Sequence, residues 1–236
     1  MTQPSMFLSK IRLKREASIN AMLPLLVPES SSERTHAGHR LLWSLFGDTP
    51  ERERDFLWRE IAPGEFLTLS ARRPLDPHGL FHIAEPKSFE PELRAGDRLA
   101  FVLRANATVS KGPKGSRGKP CDVVMNELHG IPAGSRGAER RSAVERAGVR
   151  WLIGQGERKG FRIDAEVSDS GARDGVRVLG HQVLSIPRKA DAMRIGVLDF
   201  EGRLTVVDPA LFLGALVGGF GRAKAFGLGL MLIRRL

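Results

Sequence analysis

The chain has 236 residues, 42% of them hydrophobic, and a net charge of +10, so it is long enough for one large or two small domains with a real core. Its single cysteine, Cys121, excludes an internal disulfide and a cysteine-rich zinc site. The start of the chain has no basic segment before an apolar run, and the longest mostly apolar run, 210–219, is far shorter than the ~20 residues that span a bilayer. We therefore expect a cytoplasmic protein without a signal peptide or a membrane partner.

The positive charge is concentrated in two segments. Residues 1–103 carry 14 basic and 14 acidic side chains, whereas residues 104–160 carry 12 and 5, and residues 218–236 carry 4 and none. A clustered excess of this kind is typical of proteins that bind polyanions such as nucleic acids. A basic surface without a nucleic-acid partner has the same composition, so charge alone leaves both interpretations open.

In the first half, alternating apolar residues predict an opening strand over 6–13. The capping-box spacing Ser30-x-x-Glu33 predicts a helix that ends at Phe46, before Gly47, with an apolar face that includes Leu42. Two further strands are expected, followed by a proline-containing linker. These three segments are 65–70, 79–84 and 89–96.

In the second half, a strand is predicted over 99–104 and a helix over 140–155. Glycine and proline interrupt residues 111–119 so often that we expect no regular element there, but a mobile basic loop. The remaining elements are a hairpin of 178–186 with 194–199, a strand 204–207, a helix 209–217 and a strand 228–233. The order of elements predicts two α+β domains, residues 1–90 and 97–236.

Two of the six histidines stand three residues apart on the predicted helix, His36 and His39. Residues at this spacing share a helix face, and an imidazole titrates near neutral pH, so the pair is a candidate for general acid and base catalysis. Either histidine also fits a satisfied core or surface position. No Asp, Glu or Cys is placed to complete a metal site with them, so we predict no metal and no cofactor.

Residues 218–229 contain five glycines and two cations but no acid. The segment has neither the G-x-x-x-x-G-K-[ST] pattern of a P-loop nor the third glycine of a dinucleotide fingerprint, so ATP and NAD are poor candidates. A purely structural turn is one interpretation. A backbone cradle for RNA phosphates is the one we favour, because glycine lets amide groups approach an anion closely. The predicted contacts are Gly219, Gly221, Arg222, Lys224, Gly227 and Gly229.

Further cations lie beside His39, in the 111–119 segment and at the predicted hairpin tip. Each of them fits a solvated surface as well. A hairpin tip with two cations suits a groove of A-form RNA, which proteins recognise by shape and phosphates. The predicted RNA contacts are Arg40, Lys111, Lys114, Arg117, Lys119, Arg188 and Lys189.

Four segments in this order resemble the CasE (Cse3) family of CRISPR-repeat processing endoribonucleases. Residues 6–10 resemble the family's opening strand, and residues 39–46 its His-x-x-Leu-x-x-Leu-Phe helix. Residues 97–106 resemble the strand that opens its second domain, and the segment from Phe200 through the glycine-rich loop follows in family order. The resemblance covers most of the chain.

The resemblance implies an α+β fold of two tandem ferredoxin-like (RRM-like) domains. It implies metal-independent cleavage of the CRISPR repeat at the base of its hairpin, with 2′,3′-cyclic phosphate and 5′-hydroxyl ends. The product would stay bound, so that the protein is a Cascade subunit with the repeat hairpin and other subunits as partners. His39 falls on the family's catalytic histidine. The family often has a tyrosine three residues earlier, where this chain has His36 and no tyrosine anywhere.

RNA supplies its own nucleophile, the 2′-hydroxyl, so two imidazoles and a phosphate-binding loop suffice for the chemistry. Which histidine is the acid and which the base stays open. Two alternatives remain: an RNA-hairpin-binding subunit of the same fold that has lost cleavage, and an unrelated basic α+β module.

Overall fold

The computed structural model describes residues 5–49, 51–112, 118–168, 171–187 and 192–236. Within these ranges, no helix combines the length and the apolar character needed to cross a membrane. Four predicted RNA contacts lie outside the described residues, namely Lys114, Arg117, Arg188 and Lys189.

The first sheet is antiparallel, with the strand order β2-β3-β1-β4, and β5 also pairs with β1. Two helices connect β1 to β2 and cover one face. The elements are β1 Phe7–Leu13, α1 Ala17–Leu26, α2 Ser31–Phe46, β2 Phe56–Ala62, β3 Glu65–Ser70, β4 Phe81–Ile83 and β5 Lys87–Ser88.

The second sheet has the order β12-β13-β6-β14, and β9 pairs with β13. Its elements are β6 Arg98–Ala105, β7 Thr108–Lys111, β8 Lys119–Asp122, α3 Val123–His129, α4 Arg136–Lys159, β9 Phe161–Ile163, β10 Ala165–Ser168, β11 Gly171–Asp174, β12 Val176–Ile186, β13 Met193–Val206, α5 Pro209–Gly218 and β14 Met231–Arg235. Short 3₁₀ turns occupy Ala133–Ser135 and Lys224–Phe226.

Both sheets therefore have the same arrangement: when the four strands of each order are numbered along the chain, the first lies between the third and the fourth. This is the ferredoxin-like order, so the predicted α+β fold of two such domains is confirmed. The second domain has the full β-α-β-β-α-β sequence, with α5 as its second crossover helix. In the first domain residues 71–80 form no helix, and a loop takes the place of that crossover.

Each domain buries its own core. The strand β6 alternates between buried and partly exposed residues, with Leu99, Phe101 and Leu103 pointing inward to α4 and α5. In the first domain, Ile11 and Leu13 of β1 pack against the inner face of α2. These two cores are connected by a smaller cluster between the domains.

That interdomain cluster consists of Met6, Leu57 and Leu69 from the first domain and Leu230 from the second, all buried. Leu57 lies on β2 between Phe56 and Trp58, which face the core of the first domain. Burial of apolar area is the main favourable term in such packing, at roughly 25 cal/mol per Å². The glycine-rich segment that follows α5 is therefore held against β2.

Several predicted elements are confirmed closely, among them the opening strand, the helix that ends at Phe46, the strand 65–70 and the helix that starts at Pro209. The segments 194–199 and 204–207 were predicted as separate strands, which is wrong: both belong to the single strand β13. Gly202 lets β13 continue there, because a Cβ at this position would lie 2.4 Å from the carbonyl oxygen of Gly175.

Two local predictions need correction. The Ser30 side chain makes no capping hydrogen bond, so α2 begins without the capping box. The 111–119 segment is also not wholly irregular, because Lys111 ends β7, Lys119 begins β8, and the two residues pair in register. Residues 113–117, in the middle of that segment, lie outside the described part of the chain.

Several elements were not predicted, and for three of them the physical reason is clear. The helix α1 contains Pro24, which normally interrupts a helix. The strand β2 starts with three consecutive buried residues, because its two faces meet two different clusters, and this hides the alternation. The helix α3 has only seven residues and depends on Asp122, whose carboxylate accepts hydrogen bonds of 2.9 Å from the amides of Val124 and Met125.

Candidate active site

The helix α2 presents His39 at the boundary between the two domains. Gly38, next to it, allows α2 to lie close to β2, since a Cβ at Gly38 would be 2.9 Å from the ring of Trp58. The imidazole of His39 is partly buried and meets two aromatic rings, Trp43 at a centroid distance of 6.3 Å and Phe226 at 5.6 Å. Phe226 belongs to the glycine-rich segment, so the second domain forms one wall around His39.

The same tryptophan holds the glycine-rich segment in place. The indole nitrogen of Trp58 donates a hydrogen bond of 3.0 Å to the carbonyl of Ala225, and the Trp58 side chain is almost fully buried. Gly227 adopts φ +69°, and a Cβ there would lie 2.9 Å from the Trp58 ring. The segment 225–227 is therefore fixed in position beside His39.

Burial lowers the pKa of His39. The carbonyl of Ala225 opposes this shift, while the neighbouring charges of His36 and Arg54 lower the pKa further. The Nδ1 atom is buried and makes no hydrogen bond of normal geometry to any described residue. His39 is therefore mostly neutral at neutral pH, the form in which an imidazole accepts a proton.

His36 lies one helical turn before His39 and is partly buried. Its effect on the pKa of His39 shows that the two imidazoles interact electrostatically, as their spacing predicted. Arg40 follows His39 but is exposed, on a different face of α2. Among the described residues, no three His, Cys, Asp or Glu side chains form a group that could hold a metal ion.

The glycines of the 218–229 segment serve packing within the protein. Gly219, Gly221, Gly227 and Gly229 all have positive φ, and a Cβ at Gly221 would lie 2.4 Å from the carbonyl oxygen of Asn106. The amides of Gly219 and Gly229 donate to the carbonyls of Ala215 and Arg104 at 2.8 Å and 2.7 Å. These glycines therefore allow close contacts with other protein atoms. An RNA phosphate would have to bind to other groups of the segment.

The family of the chain follows from comparisons with known proteins. The family described as CRISPR associated protein matches residues 6–235. The CRISPR-associated endoribonuclease Cse3 of Thermus thermophilus is 32% identical over 209 residues, which cover 82% of this chain and 86% of that protein. The chain belongs to the CasE (Cse3) family of CRISPR-associated proteins.

A further relative and a solved structure of Cse3 support this assignment. The Cascade subunit CasE of Escherichia coli is 24% identical over 212 residues, which cover 88% of this chain and 95% of that protein. The structure of Thermus thermophilus Cse3 bound to an RNA representing a pre-cleavage complex is 27% identical, with a TM-score of 0.67 over 98% of this chain and 99% of that one. The similarity thus extends over both domains.

Two lysines in this CasE-family chain hold the start of the glycine-rich segment. Lys224 donates a hydrogen bond of 2.7 Å to the carbonyl of Gly218, and Lys159 donates one of 3.1 Å to the carbonyl of Gly219. The Lys159 ammonium also lies 4.3 Å from the centre of the Phe220 ring. Burial, with the nearby charges of Lys224 and Arg158, lowers the pKa of Lys159 to about 8.

Arg54, just before β2, is a cation near His39 that the sequence did not reveal. Its guanidinium donates to the carbonyl of Phe56, and its charge contributes to lowering the pKa values of both His39 and Lys224. Burial is the main cause of the lowered pKa of Lys224. Arg54 stands in a run of alternating charges, 51–55, which is typical of a solvated surface, so the sequence carried no signal for its role.

Three other predicted contacts in the described part of the chain, Arg222, Lys111 and Lys119, are exposed on other elements. Arg222 is exposed, and its backbone forms a bridge with Asn106. Lys111 and Lys119 are exposed at the end of the β7–β8 hairpin. The structure thus brings His36 and His39 together with the 225–227 part of the glycine-rich segment, whereas Arg222, Lys111 and Lys119 are exposed on other elements.

Proposed function

We propose that this protein is a metal-independent endoribonuclease that binds the hairpin of the CRISPR repeat and cleaves the precursor transcript into mature CRISPR RNA. It acts in the cytoplasm, stays on its product and serves as a subunit of a type I-E Cascade complex. The main support is the position of His39, a neutral imidazole held between α2 and the glycine-rich segment in a chain 32% identical to an endoribonuclease over most of its length.

The lowered pKa of His39 suits a general base. In the proposed reaction its imidazole removes the proton of the 2′-hydroxyl at the cut site, and the 2′-oxygen then forms a bond to the adjacent phosphorus. The bond from phosphorus to the 5′-oxygen breaks, and a proton is delivered to that oxygen. The products are a 2′,3′-cyclic phosphate and a 5′-hydroxyl.

His36 is the proposed donor of that second proton. It lies one turn from His39, in the place where the family often has a tyrosine, and a histidine side chain is a common general acid in enzymes. Arg54 supplies positive charge near the imidazole, Lys224 lies close enough to Arg54 for the two charges to interact, and such charge stabilises the additional negative charge that develops on the phosphate. The four residues are therefore assigned base, acid and electrostatic roles.

Binding of the hairpin is assigned mainly to the second domain, which holds the whole charge excess. Arg40, Arg222, Lys111 and Lys119 are exposed and free to reach phosphates. Lys114, Arg117, Arg188 and Lys189 are predicted contacts from the sequence. Many weak phosphate contacts of this kind explain how a cleaved hairpin stays bound, because cutting removes none of them.

The test uses a labelled repeat hairpin, excess protein and EDTA. We expect a single cut. Phosphatase should not remove the 3′ phosphate until the cyclic phosphate is opened, and a kinase should phosphorylate the 5′-hydroxyl directly. A substrate with a 2′-deoxy sugar at the cut should bind equally and stay intact. Tight binding without cleavage would identify the non-cleaving hairpin subunit, and failure to bind would contradict the assignment as a whole.

A further inference from the structure

A second cationic site lies next to His39, in a cavity of about 280 Å³ between the domains. The start of α2 and the strand β2 line one side of it, and β6, β12 and the glycine-rich segment line the other. The polar and aromatic residues that matter here are Arg34, Thr35, Arg59, Glu60, Arg104 and Phe226. Neither of the assigned catalytic histidines lines this cavity.

Two of its three arginines already have carboxylate partners. Arg34 donates a hydrogen bond of 3.2 Å to Glu60, and Arg104 donates one of 2.6 Å to Asp199. Arg59 has no carboxylate partner among the described residues, and its Nη1 atom is buried without a hydrogen bond. The cavity therefore contains one uncompensated positive charge.

This charge is costly as it stands. Burial lowers the pKa of Arg59, Asp199 opposes that shift at a distance, and the charge of Arg104 adds to it. A guanidinium nevertheless stays protonated in proteins, so the cost remains until an anion binds. The planar fork of an arginine matches a phosphate group, to which it can donate two parallel hydrogen bonds.

The cavity adjoins the proposed cut site through shared residues. Phe226 lines the cavity and also contacts the ring of His39. Thr35 lines the cavity and stands one helical turn before His39 on the same face of α2. An RNA strand whose scissile phosphate lies at His39 thus has a neighbouring phosphate within reach of the cavity.

We propose that Arg59 binds a phosphodiester group of the RNA strand beside the one that is cut, and so positions the scissile bond against His39. The inference rests on the proposed function. Arg59 is a positioning residue, because it contacts the strand but not the reacting atoms. Arg104 keeps Asp199 engaged and leaves Arg59 free to bind the phosphate.

The test compares Arg59→Gln with Arg73→Gln in the full chain. Arg73 is an exposed arginine of the same domain that is paired with Glu85, so its replacement removes the same charge elsewhere. We expect Arg59→Gln to weaken hairpin binding by roughly 10-fold or more, as for other hydrogen bonds to charged groups, and to lower the salt slope of log affinity by about 0.7. Arg73→Gln should leave both unchanged.

Neutral methylphosphonate groups, placed singly on either side of the cut, identify the phosphate. One of them should weaken binding to the wild-type protein and have no further effect in Arg59→Gln. Equal effects of every substitution in both proteins would overturn the proposal, as would wild-type affinity and salt slope in Arg59→Gln.

Thermal unfolding separates a ligand site from a structural one. Because Arg59→Gln removes an uncompensated buried charge, the free variant should be at least as stable as the wild type, whereas RNA should raise its Tm less. A large loss of stability without RNA would assign Arg59 to the fold and overturn the proposal. If the wild-type protein cleaves the hairpin and Arg59→Gln has the same affinity and salt slope, only this inference fails. If the wild-type protein binds no hairpin, the proposed function fails as well.

Discussion

The two domains share one strand order but contribute different properties to the site. The first domain holds as many acidic as basic residues up to position 103, and it supplies the two histidines of α2. The second domain holds the excess of positive charge and supplies the segment that covers His39. The base thus lies in one domain and the polyanion-binding surface in the other, and segment 225–227 of the second domain lies beside His39.

His39 owes its lowered pKa first to burial, and its position to the rings of Trp43 and Phe226. The four predictions below test this division between the domains, in order of decreasing effect.

The largest effect is expected from His39→Ala. Single-turnover cleavage should fall by roughly 100-fold or more, which is the usual contribution of general acid–base catalysis. Hairpin affinity should change little, because the neutral imidazole contributes little to phosphate binding. The matched control is His82→Ala, since His82 is exposed on β4. Near-normal cleavage by His39→Ala would contradict the assignment of the catalytic base to the first domain.

The next effect is expected from Gly227→Ala, which disturbs the contact between the domains. The new Cβ would lie 2.9 Å from the Trp58 ring, and the residue would have to keep φ +69°. Such backbone strain costs roughly 1–3 kcal/mol, so Tm should fall by several degrees, and cleavage should slow because Phe226 shifts.

The control for this variant is Gly218→Ala, where a Cβ would meet no atom within 4 Å and φ is not positive. It should retain normal stability and cleavage. If both variants have the Tm and the cleavage rate of the wild type, the glycine-rich segment does not determine the position of Phe226 beside His39.

The sequence predicted those elements whose pattern of residues depends only on positions close together in the chain. The strand β3 and the helix α2 end within a residue of their predicted limits, because alternation and a glycine stop signal are written in adjacent residues. The strand β2 escaped prediction because Leu57 faces the second domain while its neighbours face the first. Its register depends on contacts far along the chain.

The candidate site could likewise be predicted only where it depends on residues close together in the sequence. His39 was found through its resemblance to a family motif, but its wall was not, because the hydrogen bond from Trp58 to Ala225 joins residues 167 positions apart. The sequence did not indicate a role for Arg59, since a single arginine in a strand is common. Its importance arises only when the neighbouring acids are seen to be engaged by Arg34 and Arg104.

A smaller effect tests the charge of the second domain. Lys111 and Lys119 lie directly opposite each other at the end of the β7–β8 hairpin, and like charges in this position repel each other. If both contact phosphates, replacing the pair by glutamine should reduce the salt slope of log affinity by about 1.4 to 1.8. Cleavage of fully bound RNA should remain normal.

The control for the lysine pair is Lys87→Gln, an exposed lysine on β5 of the first domain. Its salt slope should equal that of the wild type. Equal slopes in all three proteins would show that the β7–β8 hairpin lies away from the RNA, and would shift the binding surface to other cations of the second domain.

The smallest effect is the shift of the acidic limb of the pH–rate profile in His36→Ala. Burial, and next the charges of His36 and Arg54, lower the pKa of His39, so its protonation limits cleavage only below the ordinary value of 6.5. Removing His36 removes repulsion from the imidazolium form of His39. The acidic limb of the rate profile should therefore move to higher pH, while hairpin affinity stays the same.

The level of the plateau then distinguishes two roles of His36. If His36 donates the proton to the leaving oxygen, the variant also loses rate at the plateau. If His36 acts only through its charge, the plateau is unchanged and the limb alone shifts. An acidic limb that stays in place or moves to lower pH would contradict the coupling itself, because removing a like charge cannot make the protonated form of His39 less stable.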